Sequence, residues 1–179
     1  MQAKDIIDFW FRELSDRQRF AKDEKLDSTI RERFGPIHKA AVLGELFEWR
    51  AMPEGRLAEI VVLDQFSRNM FRDTPQAFAH DPQALALAQE MVAIGQDQKL
   101  SVEQRVFAYM PYMHSESKLI HEQAGRLFSQ PGLEGALAFE ERHKVIIERF
   151  GRFPHRNAIL GRVSTDQELA FLMLPGSSF

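Results

Sequence analysis

Apolar residues recur at intervals of three and four positions in almost every segment of this 179-residue chain, and no segment sustains an alternation of apolar and polar residues. The first spacing gathers apolar side chains on one face of a helix, whereas a half-buried strand requires the second. The segment of residues 4–14, for example, places Ile6, Trp10 and Leu14 on one stripe. The sequence therefore predicts an all-α fold.

Glycines and prolines separate the predicted helices by short connections. A helix expected over residues 23–34 ends before Gly35-Pro36, and Pro111 is expected to kink or end the helix that contains it. Short loops favour neighbouring helices that pack antiparallel. We therefore expect one domain, residues 1–179, built as a compact stack of antiparallel helical hairpins.

Composition excludes several classes of protein. The chain has no cysteine, which excludes disulfide and thiolate-zinc scaffolds, and its net charge of -3 gives no general attraction for nucleic acid. No apolar segment is long enough to span a membrane. Lys4, Asp5 and Asp8 precede any apolar run, which is the wrong order for a secretory signal. We expect a cytoplasmic protein without nucleic-acid or membrane partners.

One predicted helix carries charged residues in an apolar position. Its apolar stripe, which includes Leu57 and Ile60, continues into Asp64 and Arg68. These two residues are four positions apart, so they can form an ion pair along the helix. A structural pair at the edge of the core is one interpretation. The other is a carboxylate and a guanidinium inside a pocket, with Asn69 beside them.

A second group of polar residues stands beside the proline of an apolar segment. Residues 107–116 contain both tyrosines of the chain and end with His114 and Glu116. The imidazole follows Phe107 and Met110 on one helix face, so it can point inward and have a shifted pKa. The alternative is an aromatic core stripe, with the two polar residues at the start of the next helix.

The third feature is a basic segment, residues 142–162, which holds six Arg and Lys residues and a single acidic residue. A guanidinium can bind a phosphate or a carboxylate with two hydrogen bonds, so an anion site is one interpretation. Pairing with an acidic helix elsewhere in the fold is the other. The candidate ligand-binding residues are Arg152, Arg156, Asn157 and Arg162, with Arg68 and Asn69 from the first group.

Motifs of common catalytic and cofactor sites are missing. The sequence has no phosphate-binding loop, dinucleotide fingerprint, zincin motif or nucleophile elbow. Glu140 and His143 form half of a di-iron motif whose second half is absent. His114-x-Glu116 lacks the cysteines that complete a deaminase zinc site. We therefore expect neither a metal nor a cofactor.

The three polar groups also carry a family resemblance. The segments 63–72, 111–116 and 149–157 are similar to motifs of a bacterial family catalogued as a domain of unknown function, number nine-two-four, and the likeness extends from Asp8 to the final Phe179. The resemblance implies a tetratricopeptide-like superhelical fold and no known activity. The chain departs from the family pattern at Ser67, where proline is expected, and at Val163, where an acidic residue is expected.

Three functional hypotheses follow. In the first, the polar groups line one groove, and their arginines and asparagines hold an anionic small molecule or a peptide carboxylate. In the second, the protein is a hydrolase or transferase in which His114 or His155 is the general base, Glu116 or Asp64 orients it, and arginines stabilise negative charge. In the third, the groups form a structural polar network that fixes helix packing.

Overall fold

Helices form the regular structure of this protein. A computed structural model describes residues 1–178, and none of these residues lies in a β-strand. The all-α prediction is therefore confirmed. The α-helices are α1 (Ala3–Asp8), α2 (Asp16–Phe20), α3 (Glu24–Val42), α4 (Pro53–Val61), α5 (Ser67–Met70), α6 (Asp81–Ala93), α7 (Val102–Met113), α8 (Lys118–Phe128), α9 (Glu134–Phe150) and α10 (Asp166–Leu172).

Short π-helical and 3-10 turns complete the helical segments. The π-helical turns follow α1 and α4, at Phe9–Glu13 and Val62–Phe66. The 3-10 turns are Phe47–Ala51, Pro75–Ala77, Asp97–Lys99 and Pro154–Arg156. Within residues 1–178, no helix is both long enough and apolar enough to cross a membrane.

Helix α3 continues through Gly35-Pro36, where we expected it to end, so that prediction is wrong. A proline inside a helix removes one backbone hydrogen bond. The buried stripe of α3 nevertheless continues beyond the proline, from Ile30 and Phe34 to His38 and Ala41. Burial of this continuous stripe outweighs the lost hydrogen bond.

Other helix ends follow their sequence signals more closely. Gly151 adopts a φ of 72° and ends α9, because a left-handed backbone favours glycine. Thr165 caps α10 and forms a capping box with Glu168. Pro111 lies inside α7, which ends two residues later at Met113. Glycine and cap residues therefore predict the helix ends better than proline does.

The chain divides into two compact units. Unit 1 contains Met1–Arg72 and Gln76–Pro111, and unit 2 contains Asp73–Pro75 and the chain from Tyr112 onward. A single domain over residues 1–179 stays a prediction, and so does the tetratricopeptide-like superhelix.

Aromatic rings form the centre of unit 1. The ring of Phe34 lies 4.7 Å from that of Phe9 and 4.9 Å from that of Phe66, measured between ring centroids. Trp10 is fully buried and meets Phe107 edge to face at 5.7 Å. These contacts join α3 and α7 to the π-helical turns after α1 and α4, and the second of these turns carries Asp64.

Unit 2 has a separate apolar core on α9. Ile146, Ile147 and Phe153 are buried together, and Phe150 and Phe171 pack against them at the edge. Phe153 lies just after α9 and is completely buried. The side chains that contact this ring include His121, His143, His155 and Arg156.

Candidate functional site

The first polar group, in unit 1, forms an ion-pair cluster. Asp64 lies in the π-helical turn after α4 and is fully buried. Arg68 donates to the Asp64 carboxylate at 3.1 Å and to its backbone carbonyl at 2.9 Å. The same guanidinium makes two hydrogen bonds, of 2.9 and 3.0 Å, to Asp81. The predicted pairing of Asp64 with Arg68 is confirmed, and Asp81 is an additional partner that the sequence pattern did not indicate.

Asn69 belongs to a second buried cluster of unit 1. Its amide donates to Asp27 at 2.8 Å, and Arg72 donates to the same carboxylate at 2.6 and 2.8 Å. Burial acts to raise the pKa of Asp27, but the hydrogen bonds from Arg72 and Asn69 outweigh it and leave the pKa below its usual value. These contacts connect α3 with α5, so they support a structural role for Asn69.

Glu116 organises the polar residues that follow α9 in unit 2. It accepts hydrogen bonds of 2.6 and 2.9 Å from Arg162 and one of 2.7 Å from the backbone N–H of Phe153. Arg162 also donates to Asn157 at 2.9 Å, and Asn157 donates to Ser164 at 3.0 Å. Burial acts to raise the pKa of Glu116, but the donors from Arg162 and Phe153 lower it overall. Glu116 therefore stays ionised and ties the loop after α9 together.

Arg152 pairs with a carboxylate on α10. It donates to Glu168 at 2.6 and 2.7 Å and to the backbone carbonyl of Val163 at 2.9 Å. The hydrogen bond from Arg152 lowers the pKa of Glu168 to about 2. At position 163 it is the backbone carbonyl of Val163 that contacts the guanidinium. Arg152 therefore holds α10 against the end of α9.

Three histidines and one arginine lie together near the buried ring of Phe153. We call this group the imidazole cluster; its members are His114, His143, His155 and Arg156. The ring centroids of His143 and His155 lie 5.7 and 5.6 Å from that of Phe153. The Arg156 guanidinium carbon lies 4.5 Å from the same centroid, and His114 lies 6.4 Å from His143. Two predicted catalytic candidates and one predicted anion ligand are thus brought together.

His143 is held in one protonation state at the centre of this cluster. Its Nδ1 lies 2.8 Å from the Phe139 carbonyl, which can only accept, so Nδ1 carries the proton. Burial lowers the pKa of His143 to about 3, and the charges of His114 and Arg156 act in the same direction. The ring is therefore neutral at pH 7, and its Nε2 is a hydrogen-bond acceptor.

His121 and Glu140 form a buried pair that joins α8 and α9. The Nδ1 of His121 lies 2.7 Å from Glu140 Oε1, and its Nε2 lies 2.8 Å from the Ser115 carbonyl. Because a carbonyl only accepts, Nε2 is protonated, and one further proton lies between Nδ1 and Oε1. Burial raises the pKa of Glu140. Both side chains are fully buried, which indicates a structural role.

The structure separates the four predicted catalytic candidates into different settings. His114 and His155 belong to the imidazole cluster, Glu116 pairs with an arginine, and Asp64 lies in unit 1. Within residues 1–178, no three His, Asp or Glu side chains come together in a way that could hold a metal ion. A single groove lined by all three polar groups stays a prediction.

Sequence reasoning missed His121, Glu140 and His143 as site residues. His121 lies on the buried face of α8 with Ala124 and Phe128, so its spacing could have identified it as an inward-facing imidazole. Glu140 and His143 were considered only as half of a metal motif. Their spacing on α9 correctly indicates a shared direction, but each binds a different partner.

Comparisons with known proteins identify relatives of unknown function. The family model described as "Bacterial protein of unknown function (DUF924)" matches residues 6–176. A solved structure, the protein of unknown function ATU0120 from Agrobacterium tumefaciens, is similar with a TM-score of 0.91 and 41% identity, over 96% of each chain. The comparison with curated proteins finds no match.

Proposed function

The chain belongs to the bacterial family DUF924, whose function is unknown, and we propose that unit 2 of this protein binds a small anionic molecule at its imidazole cluster. The observation that carries the proposal is the grouping of Arg156, His143 and His155 around Phe153, with His114 beside His143. A guanidinium stacked on an aromatic ring keeps a fixed plane, and it can meet a carboxylate or a phosphate with two hydrogen bonds.

The imidazoles determine the charge that this site offers. Burial lowers the pKa of His143 to about 3, so its ring is neutral at pH 7 and adds no positive charge to the guanidinium of Arg156. His114 and His155 are partly exposed and can donate to an anionic oxygen. The proposed ligand class is therefore a small carboxylate or phosphate.

The other predicted anion ligands have a structural role in this proposal. The guanidinium groups of Arg68, Arg152 and Arg162 each make two hydrogen bonds to a carboxylate of their own unit. Asn69 and Asn157 also bond within their units. Because these arginines and asparagines bond within the protein, a second candidate function is that the imidazole cluster is also a structural network.

A hydrolase or transferase function is supported less well by these contacts. Catalysis by a histidine with a carboxylate partner requires that the imidazole reach the substrate. His121 and Glu140 form such a pair, but both are fully buried. A cytoplasmic location remains part of the proposal.

A thermal-shift experiment with a matched pair of variants tests the proposal. The probes are orthophosphate, citrate and L-lactate, and the variants are Arg156→Gln and Arg149→Gln. Arg149 belongs to the same basic segment and also stacks on a phenyl ring, with 4.7 Å between its guanidinium carbon and the Phe150 centroid. The control therefore loses the same charge and the same type of stacking outside the imidazole cluster.

Binding to the folded protein raises the melting temperature, and the rise grows with the logarithm of the ligand concentration relative to Kd. We expect at least one probe to raise it for the wild type and for Arg149→Gln, and to have no effect on Arg156→Gln or His155→Gln. Equal rises in all four proteins would contradict a site at the imidazole cluster. No rise with any probe would favour the structural interpretation.

A further inference from the structure

Helix α10 of unit 2 has its polar and apolar sides reversed. Its buried residue is Glu168, which accepts two hydrogen bonds from Arg152. Leu169 and Met173 lie one helical turn apart, and they are 53% and 85% exposed. A helix on the surface of a globular protein normally directs its apolar stripe to the core and its polar face to solvent. The reversed pattern indicates that the outer side of α10 is a contact surface.

The outer side of α10 forms an apolar face. Each of its residues has another member three or four positions away, so they share one side of the helix. We call this group the α10 face; its members are Leu169, Ala170, Met173 and Leu174. Leu174 is 55% exposed, and Val163, just before the helix, is 87% exposed. Together these side chains present on the order of a few hundred Å² of apolar surface, and patches of this size mark interaction sites.

Contacts on the inner side hold α10 in place and so fix the direction of this face. The ring of Phe171 lies 5.1 Å from that of Phe150, measured between centroids. Arg152 bonds to Glu168 on α10 and to the backbone carbonyl of Val163. A surface that is already ordered loses little conformational entropy when a partner binds it. The α10 face is therefore prepared for docking.

The segment that carries the α10 face has almost no charge. Residues 163–174 contain two ionisable side chains, Asp166 and Glu168, and Glu168 is buried and paired with Arg152. Helices that lie on anionic membranes are rich in lysine and arginine, and this segment has neither. A strongly charged partner finds no complementary charge in it. A neutral apolar face is matched by another such face, and a second copy of this chain provides one.

We propose that two copies of this chain pair through their α10 faces about a twofold axis. In a twofold contact the same patch lies on both sides, so each residue meets its counterpart in reverse order. Ala170 of one copy then faces Met173 of the other, and Leu169 faces Leu174. The Asp166 side chains lie at opposite ends of the contact, so they do not repel each other. The buried area is below about 1,200 Å², which is typical of weak and transient pairs.

Sedimentation velocity of the full chain, from about 10 μM to about 1 mM, measures the pairing. We expect the wild type to sediment faster as its concentration rises. The double variant of Leu169→Glu and Met173→Glu should pair at least about tenfold more weakly, because carboxylates of both copies would meet in the contact. The matched control is Leu43→Glu with Met52→Glu, which changes the same residue types at positions of unit 1 that are 60% and 62% exposed.

The control should pair like the wild type. All four substituted side chains are exposed, so circular dichroism should show that both double variants fold. A wild type that stays monomeric up to about 1 mM would overturn the proposal and leave the α10 face to a different protein. Equal weakening by the two double variants would also overturn it.

A single cysteine tests the twofold arrangement, because the chain contains no cysteine of its own. Ala170→Cys places a thiol near the proposed axis, where it lies close to the same thiol of the second copy. Ala138→Cys is the matched control, since it replaces an exposed alanine of α9 outside the α10 face. With the short crosslinker bis-maleimidoethane, we expect Ala170→Cys to form covalent dimers at least about tenfold faster than Ala138→Cys. Equal rates would refute the twofold contact.

Discussion

Buried carboxylates determine the direction of several arginine side chains in this protein. Arg152 illustrates the effect, because the basic segment that contains it suggested an anion site. In the folded chain, Glu168 takes that place with two hydrogen bonds, although it lies sixteen residues away. Glu168 had been interpreted only as a member of a capping box. A single side chain that performs both tasks cannot be recognised from local spacing.

The pair of Arg152 and Glu168 should contribute measurably to stability. Arg152→Gln removes the two charge-assisted hydrogen bonds of a carboxylate that is 4% exposed. We expect Arg152→Gln to lower the free energy of unfolding, because the carboxylate of Glu168 loses its charged donor. Urea unfolding of Arg152→Gln, Glu168→Gln and the double variant measures the coupling between the two residues. Additive losses would show that the pair has no stabilising interaction.

The pair of Arg152 and Glu168 should also make the free energy of unfolding decrease as the pH falls. The pKa of Glu168 is about 2 in the folded protein, against 4.5 for an ordinary glutamate. The stabilisation is therefore complete above about pH 4.5 and is lost as the pH falls toward 2. In urea unfolding between these pH values, Glu168→Gln should show a weaker pH dependence than the wild type. Identical slopes would contradict the ion pair.

Neutral His143 should make stability increase with pH over a second range. Its pKa is about 3 in the folded protein and 6.5 in an ordinary histidine, so the unfolded chain binds the proton first as the pH falls. The contribution is complete above pH 6.5 and decreases by about 1.4 kcal/mol per pH unit below it. NMR titration of the imidazole signals would contradict this if His143 gained its proton near pH 6.5.

At the scale of secondary-structure elements, proline and glycine differ in what they reveal. Gly151 and Thr165 correctly predict where helices end and begin, because a left-handed backbone and a capping hydroxyl are local requirements. The Gly35-Pro36 pair fails as a stop signal. Its effect depends on the burial of Phe34 and His38 on either side, which is a tertiary property. Local signals therefore predict elements best where packing does not compete.

Gly55 marks a close approach between two elements of unit 1. A Cβ at this position would lie 2.0 Å from the backbone carbonyl oxygen of Trp49, so the turn Phe47–Ala51 would have to move. We expect Gly55→Ala to lower the free energy of unfolding by about 2–3 kcal/mol. Gly35→Ala is the control, because its Cβ meets nothing within 4 Å and should stabilise α3 by about 0.5–1 kcal/mol. Equal effects in thermal unfolding would refute the close contact.

At the scale of the whole molecule, periodicity was sufficient for the fold class but not for the site. The all-α architecture follows from spacings that repeat along the entire chain. The candidate site depends on which side chains meet across distant segments, such as His114 with His143 and Arg156 with Phe153. The sequence places these residues in its second and third polar groups. The sequence does not show which carboxylate of the folded chain pairs with a given arginine.

The central functional claim is that the imidazole cluster, and not the arginines paired with carboxylates, receives an anionic ligand. NMR spectra of protein with labelled histidine side chains, titrated with orthophosphate, citrate and L-lactate, test it most directly. We predict saturable shifts of the His114, His143 and His155 signals with at least one anion, while the signals of His38 and His80, which belong to unit 1, stay unchanged. The absence of any saturable shift, or equal shifts at all five of these histidines, would contradict the claim.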